Sequence, residues 1–221
     1  MTDFQPYLDI LPDAQKEIWP LLTPATKLGF VLYGGTAIAL QLGHRYSVDF
    51  DFFSDRTFEV HQIQGAFPFL KGAEVEQNSE NTFTAKTKSG VLLSFFGGIS
   101  FGRVGTPLTS NDNSVQVASL NDLMATKLKA LFDRVECKDY RDISAILQHG
   151  VDLSGGLAAA RTLYGENFQP GEALKAMTYF KGGDLVKLDM QDREILLDAA
   201  RKVRTLPEVK ILAKSLVAAL R

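Results

Sequence analysis

Two aspartates separated by one residue, Asp49 and Asp51, stand inside the apolar run Val48-Asp-Phe-Asp-Phe-Phe53. An extended strand turns alternate side chains to opposite faces, so both carboxylates share one face while Phe50 and Phe52 enter the other. Two adjacent carboxylates repel each other and lose hydration when partly buried. A divalent cation relieves both costs, and Mg2+ commonly binds through one or two carboxylates together with substrate phosphates. The plainer reading is an edge strand with its acids in water; the flanking aromatics favour the metal site. Upstream, Gly34-Gly35 separates an apolar stretch from a helical one. Glycine permits close backbone approach, and N–H groups at a helix start attract phosphate, although a strand-to-helix turn also calls for glycine on its own. Shortly before the acidic pair, Arg45 can pair with a phosphate or a carboxylate, and Ser47 can donate to a phosphate oxygen.

A second set of charges lies further on: Asp122, Lys127, Arg134, Lys138, Asp139 and Asp142. Lys127 and Arg134 stand seven apart and Asp139 and Asp142 three apart, spacings that align each pair on a helix face. Two neighbouring helices could then present cations and acids toward a sheet. The alternative is an interhelical salt-bridge cluster, with Lys138 pairing to Asp142 and Asp122 serving as the acid of a capping box opened by Ser119. Spacing leaves both readings open. His44, His61 and His149 show no metal-ligand spacing.

Taken together, Gly34-Gly35-Thr36 followed by His44-Arg45-x-Ser47-x-Asp49-x-Asp51-Phe52-Phe53 resembles the AbiEii/AbiGii branch of the nucleotidyltransferase superfamily. Asp122-x4-Lys127 and then Arg134-x3-Lys138-Asp139-x2-Asp142 resemble later motifs of that family, and the resemblance covers residues 28 to 147. It implies a toxin of a toxin–antitoxin or phage-defence system: a Mg2+-dependent transferase that moves a nucleoside monophosphate from a nucleoside triphosphate to an acceptor hydroxyl on tRNA or protein. A cognate antitoxin is the implied protein partner. By position, the resemblance implies Asp49 and Asp51 as catalytic metal ligands, with Gly34, Gly35, Thr36, Arg45 and Ser47 around the triphosphate. It implies Lys127 at phosphate or base, Asp142 or Asp139 organising the catalytic site, and Asp122, Arg134 and Lys138 in support.

Fuller members of the superfamily carry a third carboxylate on a later strand. The candidate strand here, Val91-Leu-Leu-Ser-Phe-Phe96, offers only Ser94. A neutral hydroxyl supplies no negative charge to a metal and is no strong base near neutral pH. Glu74 and Glu76 on the preceding strand are acids that could substitute. The alternative to an active transferase is therefore a catalytically impaired NTP-binding or partner-binding protein of the same fold.

These residues need a scaffold. The pattern predicts an opening helix over 13–27 bent near Pro20, then strands over 30–33, 48–53, 73–77, 82–87 and 91–96, with 115–117 as an edge strand. Helical turns are expected over 36–42 and from Glu59, and Lys88-Ser89-Gly90 should close a hairpin. From Ser119 helical spacing takes over, with helices over 120–131 and 138–148 and three or four more divided near Gly155-Gly156, Pro170-Gly171 and Gly182-Gly183. The expectation is a mixed α/β (α+β) sheet core over residues 1–118, flanked by helices, and a helical bundle over 119–221.

Composition sets the outer bounds. Hydrophobic residues make up 45% and charged residues 23% of 221, an ordinary globular balance, and the fifteen Phe cluster in the first half, where the sheet core is expected. A net charge of −2 excludes a general polyanion binder. Arg201, Lys202, Arg204, Lys210, Lys214 and Arg221 oppose Glu208 alone in the last stretch, which reads either as a patch for RNA or an acidic partner or as the solvated face of the last helices. Cys137, the single cysteine, excludes an internal disulfide framework and reads as inert. With no signal-like start and no apolar run of membrane length, the expected location is the cytoplasm, away from membranes.

Overall fold

Among the described residues, eight strands form one mixed sheet: β1 (Asp3–Phe4), β2 (Val31–Tyr33), β3 (Asp49–Phe53), β4 (Glu74–Ser79), β5 (Thr82–Lys86), β6 (Leu92–Phe96), β7 (Leu108–Ser110) and β8 (Gln116–Val117). Their spatial order is β1-β7-β8-β2-β3-β6-β5-β4. The computed structural model describes residues 3–112 and 115–218. β3 runs antiparallel to β2 and parallel to β6, so the acidic strand is central and hydrogen-bonded on both sides. One face of this centre is dry. Phe50, Phe52, Phe83, Ala85, Leu93 and Phe95 are all fully buried there, and Phe52 stacks on Phe95 at 5.3 Å between ring centroids. This is the Phe-rich core that the composition predicts.

The helices are α1 (Asp13–Ile18), α2 (Pro24–Lys27), α3 (Gly34–Leu42), α4 (Val60–Ala66), α5 (Leu120–Ala130), α6 (Cys137–Gln148), α7 (Leu153–Tyr164), α8 (Pro170–Thr178) and α9 (Met190–Lys202). Pro20 falls in a 3-10 turn, Trp19–Leu22, between α1 and α2, as a residue without an N–H donor should. α4 opens with the Glu59/Gln62 capping box. None of the described helices is long and apolar enough to cross a membrane.

The described residues of Met1–Gly102, Thr106–Ser119 and Ala213–Arg221 form one compact unit, and those of Arg103–Gly105 and Leu120–Leu212 form a second. The sheet belongs to the first and α5 to α9 to the second. Three expectations need correction. The strand near Val117 is interior, because β7, which has no clear alternation, pairs outside it. Gly155-Gly156 does not divide helices but lies within α7; a Cβ on Gly156 would collide with the Met124 side chain, so this glycine allows α7 to approach α5 closely. The basic stretch is no helix face beyond Lys202: residues 203–212 carry no regular structure, and the chain then returns to the sheet unit. There Asp55 accepts hydrogen bonds from the Leu216 N–H at 2.9 Å and the Ser215 hydroxyl at 3.2 Å, while Gln116 pairs with both backbone groups of Ala218. Arg201 and Lys210 form exposed pairs with Asp198 and Glu208; Arg221 lies outside the described residues.

Candidate functional site

In the sheet unit, β2 ends at Tyr33 and the chain turns directly into α3. Gly34 adopts φ +73°, a left-handed conformation that side chains disfavour, and a Cβ there would collide with the Asp51 carboxylate. The register explains the closeness, because Tyr33 is the cross-strand partner of Asp51. Glycine is thus demanded twice, by the backbone angle and by the acid lying against it. Tyr33 at the N-cap supplies no side-chain hydrogen bond to α3. The first turn of α3 therefore begins beside the acidic pair with the partial positive charge of a helix start.

Asp49 and Asp51 are half-buried while Phe50 and Phe52 are sealed in the core, as strand alternation requires. Thr36 on α3 hydrogen-bonds the Ser47 hydroxyl at 2.7 Å and donates to the Asp49 carbonyl oxygen. These two buried hydroxyls tie the helix to the start of the acidic strand. The Arg45 guanidinium donates to the Tyr46 carbonyl at 2.9 Å.

Across the sheet, Asp51 pairs with Ser94 on β6, and Ser94 pairs with Thr84 on β5. Directly paired residues share a face, so Tyr33, Asp51, Ser94 and Thr84 form one row. Ser94 thus stands beside Asp51, where a third carboxylate would be sought. Glu74 and Glu76 do not substitute. Glu74 pairs with Lys86, which pairs with Leu92, which pairs with Asp49. Three strand spacings amount to about 14 Å, far beyond a shared ion. Glu76 falls at the irregularity of the exposed edge strand. Among the described residues no three His, Cys, Asp or Glu side chains assemble as a metal group. Two carboxylates on one strand face still fit Mg2+, whose remaining positions are ordinarily filled by phosphate oxygens and water.

The helical unit holds the second predicted set. Lys127 on α5 is only 5% exposed, and Asp139 and Asp142 on α6 are 0% exposed. Lys127 Nζ lies 2.6 Å from Asp139 Oδ1 and 2.7 Å from Asp142 Oδ2. Arg134 is not on the helix face of Lys127, because α5 ends at Ala130. From the connection to α6, it donates through Nε to Asp139 Oδ2 at 2.8 Å and through a terminal nitrogen to Oδ1 at 3.2 Å. Burial alone would raise the Asp139 carboxyl pKa; hydrogen bonds and charge from Arg134 and Lys127 outweigh it, and the net shift is downward. Lys138 pairs with Glu136 at 2.9 Å rather than with Asp142, whose partner is Lys127. The buried Asp122 carboxylate accepts the Val104 N–H at 2.7 Å and the Gly105 N–H at 3.0 Å, fixing the turn at 103–105. Burial also pushes the Cys137 thiol up, away from the reactive thiolate.

The structure therefore brings Gly34 against Asp51 and Thr36 and Ser47 onto Asp49, and separately gathers Lys127, Arg134, Asp139 and Asp142. Thr84 escaped the sequence reading. Its signal was present, because a hairpin centred on Ser89 pairs residues 84 and 94 by simple counting.

The profile of the AbiEii family, described as a nucleotidyl transferase AbiEii toxin of a type IV TA system, matches residues 21–208. An uncharacterized protein of Aquifex aeolicus (strain VF5) is 28% identical over 155 residues, covering 69% of this chain and 74% of its own. Among solved structures, a chain from H. pylori assigned as a nucleotidyltransferase superposes with a TM-score of 0.56 at 17% identity, covering 85% of this chain and 91% of that one. An antigenic nucleotidyltransferase-like protein from Paracoccidioides brasiliensis gives 0.50 at 19% identity, covering 91% and 96%. Those two likenesses establish the nucleotidyltransferase fold, and the family match extends far beyond the acidic strand. On that match, the chain belongs to the AbiEii nucleotidyl transferase toxin family.

Proposed function

We propose that this toxin-family nucleotidyltransferase uses Mg2+ and a nucleoside triphosphate at the face of β3, and transfers the nucleoside monophosphate to a hydroxyl of tRNA or of a protein. The observation that carries the reading is Gly34, seated on the Asp51 carboxylate at the first turn of α3. It puts a phosphate-attracting helix start and a pair of acids within one ligand's reach. Asp49 and Asp51 would hold Mg2+, which when bound neutralises phosphate charge and polarises the phosphoryl group. Gly34 and Gly35 leave room for the phosphates at the helix start. Thr36 and Ser47 keep Asp49 in place through their shared hydrogen bonds. The acceptor oxygen attacks the α-phosphorus in line, a new P–O bond forms, pyrophosphate leaves, and the hydroxyl proton is released to water.

The test is a label-transfer assay with Mg2+, total tRNA and each α-labelled NTP in turn, run beside an Asp49→Asn/Asp51→Asn double variant. Label should move to RNA or protein with the unaltered chain and fall by at least about a hundredfold in the variant. Equal transfer by both would sink the site. Ser94 beside Asp51 favours one other reading, saturable Mg2+-NTP binding without turnover, and stoichiometric product excludes it. A cognate antitoxin is the partner we infer from the toxin–antitoxin family, and the cytoplasm is the compartment that holds both NTPs and tRNA.

A further inference from the structure

The row that starts at Asp51 continues into two hydroxyls. Ser94 is 6% exposed and Thr84 is 8% exposed, and among the described residues no hydrogen bond to either hydroxyl is seen, yet neither oxygen is sealed from solvent. A hydroxyl that solvent reaches can exchange its water for a ligand group that both donates and accepts. Here two are kept side by side, one and two strands from Asp51, so about 4.8 and 10 Å away. The opposite face of the same strands is wholly apolar, which shows that an apolar solution suits this sheet. The next row inward is Phe53 against Phe96, edge to face at 5.3 Å, an apolar wall that closes the row on that side.

The chemistry of the row selects its ligand. A phosphate only accepts hydrogen bonds and is better met by the N–H groups at the start of α3. A hydroxyl both donates and accepts, and it matches a ligand group that does the same. We propose that Ser94 and Thr84 form a ribose subsite beside Asp51, in which the two hydroxyls exchange hydrogen bonds with ribose hydroxyls. This rests on the nucleotidyl-transfer reading above, and the ribose belongs either to the NTP or to the end of an RNA acceptor. Ser94 then positions a sugar where a third carboxylate would have served a metal.

The experiment compares the unaltered chain with Ser94→Ala, Thr84→Val and their combination by thermal melting, by titration with each Mg2+-NTP and its 2′,3′-dideoxy form, and by transfer kinetics on total tRNA. Melting temperatures should stay level, because no hydrogen bond within the described residues is lost with either hydroxyl. If the NTP supplies the ribose, NTP affinity falls about tenfold in the variants while dideoxy-NTP affinity is unchanged. If the acceptor supplies it, NTP titrations stay level and KM for tRNA rises about tenfold with kcat retained. Ser94→Thr, which keeps the hydroxyl, should restore either loss. Lower melting temperatures with unaltered NTP affinity and tRNA KM would overturn the subsite and make both hydroxyls structural. An unaltered chain that binds no NTP and moves no label would overturn the nucleotidyl-transfer reading, and the subsite with it.

Discussion

Asp49/Asp51 and Asp139/Asp142 look alike on the page: two short-spaced acid pairs, each near basic residues and each within a family motif. Folded, they are opposites. The strand pair is half-buried on an open sheet face, where a ligand can arrive. The helix pair is fully buried, with Lys127 bridging both acids and Arg134 completing Asp139. In the helix pair the chain supplies the countercharge and solvent is excluded. The difference teaches how to read buried acids. A buried ion cluster adds little net stability over an apolar core, yet losing one member is costly, because a desolvated charge is left behind. The helix cluster thus joins α5, the connection after it and α6, whereas the strand pair stands only half-buried beside the start of α3.

The sharpest test of this contrast is Lys127→Met, which takes one ammonium group from two buried carboxylates at once. The expected loss is about 3–5 kcal/mol, read as a fall in melting temperature on the order of ten degrees. Asp51→Asn should instead change stability by no more than about 1 kcal/mol, since its site is solvent-accessible. Similar melting losses in the two variants would erase the distinction.

Next in size is Gly34→Ala. The substitution forces a side chain into φ +73° and drives a methyl group into the Asp51 carboxylate. A stability cost of about 1–3 kcal/mol is expected, together with weakened Mg2+-NTP binding by titration. Unchanged binding would separate the glycine turn from the acidic pair and remove the main support for the strand site.

Much of the sheet was legible because period-2 alternation and the Lys88-Ser89-Gly90 turn fix β3, β5 and β6 locally. β7 was not, because Leu108-Thr-Ser110 is too short to show a period and earns its place only by pairing with β8 and β1. Pattern reading found the members of the charged cluster but mispaired them. Helical spacing predicted Lys127 and Arg134 on one face, whereas the helix stops between them, and it matched Lys138 rather than Lys127 to Asp142. Spacing along one helix says nothing about which cation a neighbouring helix brings.

A smaller effect should appear in acid. The Asp139 pKa is held below its ordinary 3.8, so folding favours its ionised form. Its contribution is fully present above about pH 4 and is lost as pH falls through the depressed value, where the unfolded chain binds the extra proton. Urea unfolding across pH 7 to 3 should therefore show this contribution flat at first and declining only at the acid end. In Arg134→Gln the decline should begin at higher pH, because the first favourable contact is gone. Coincident acid limbs would mean that Arg134 does not hold this carboxylate, and the picture of a helix pair neutralised from within would weaken.

The smallest effect expected is from Glu74→Gln and Glu76→Gln. Both acids are exposed on the edge strand, with three strand spacings separating Glu74 from Asp49. Each substitution should alter stability by about 0.5 kcal/mol or less and leave Mg2+-NTP binding and label transfer unchanged. The null result has content, because sequence alone offers these glutamates as replacements for the missing acid, and only the sheet order removes them. A loss of transfer in Glu74→Gln approaching that of Asp51→Asn would mean that β4 lies next to β3. The row of Asp51, Ser94 and Thr84 would then dissolve, and with it the division between an acidic pair open to a ligand and one closed by its own chain.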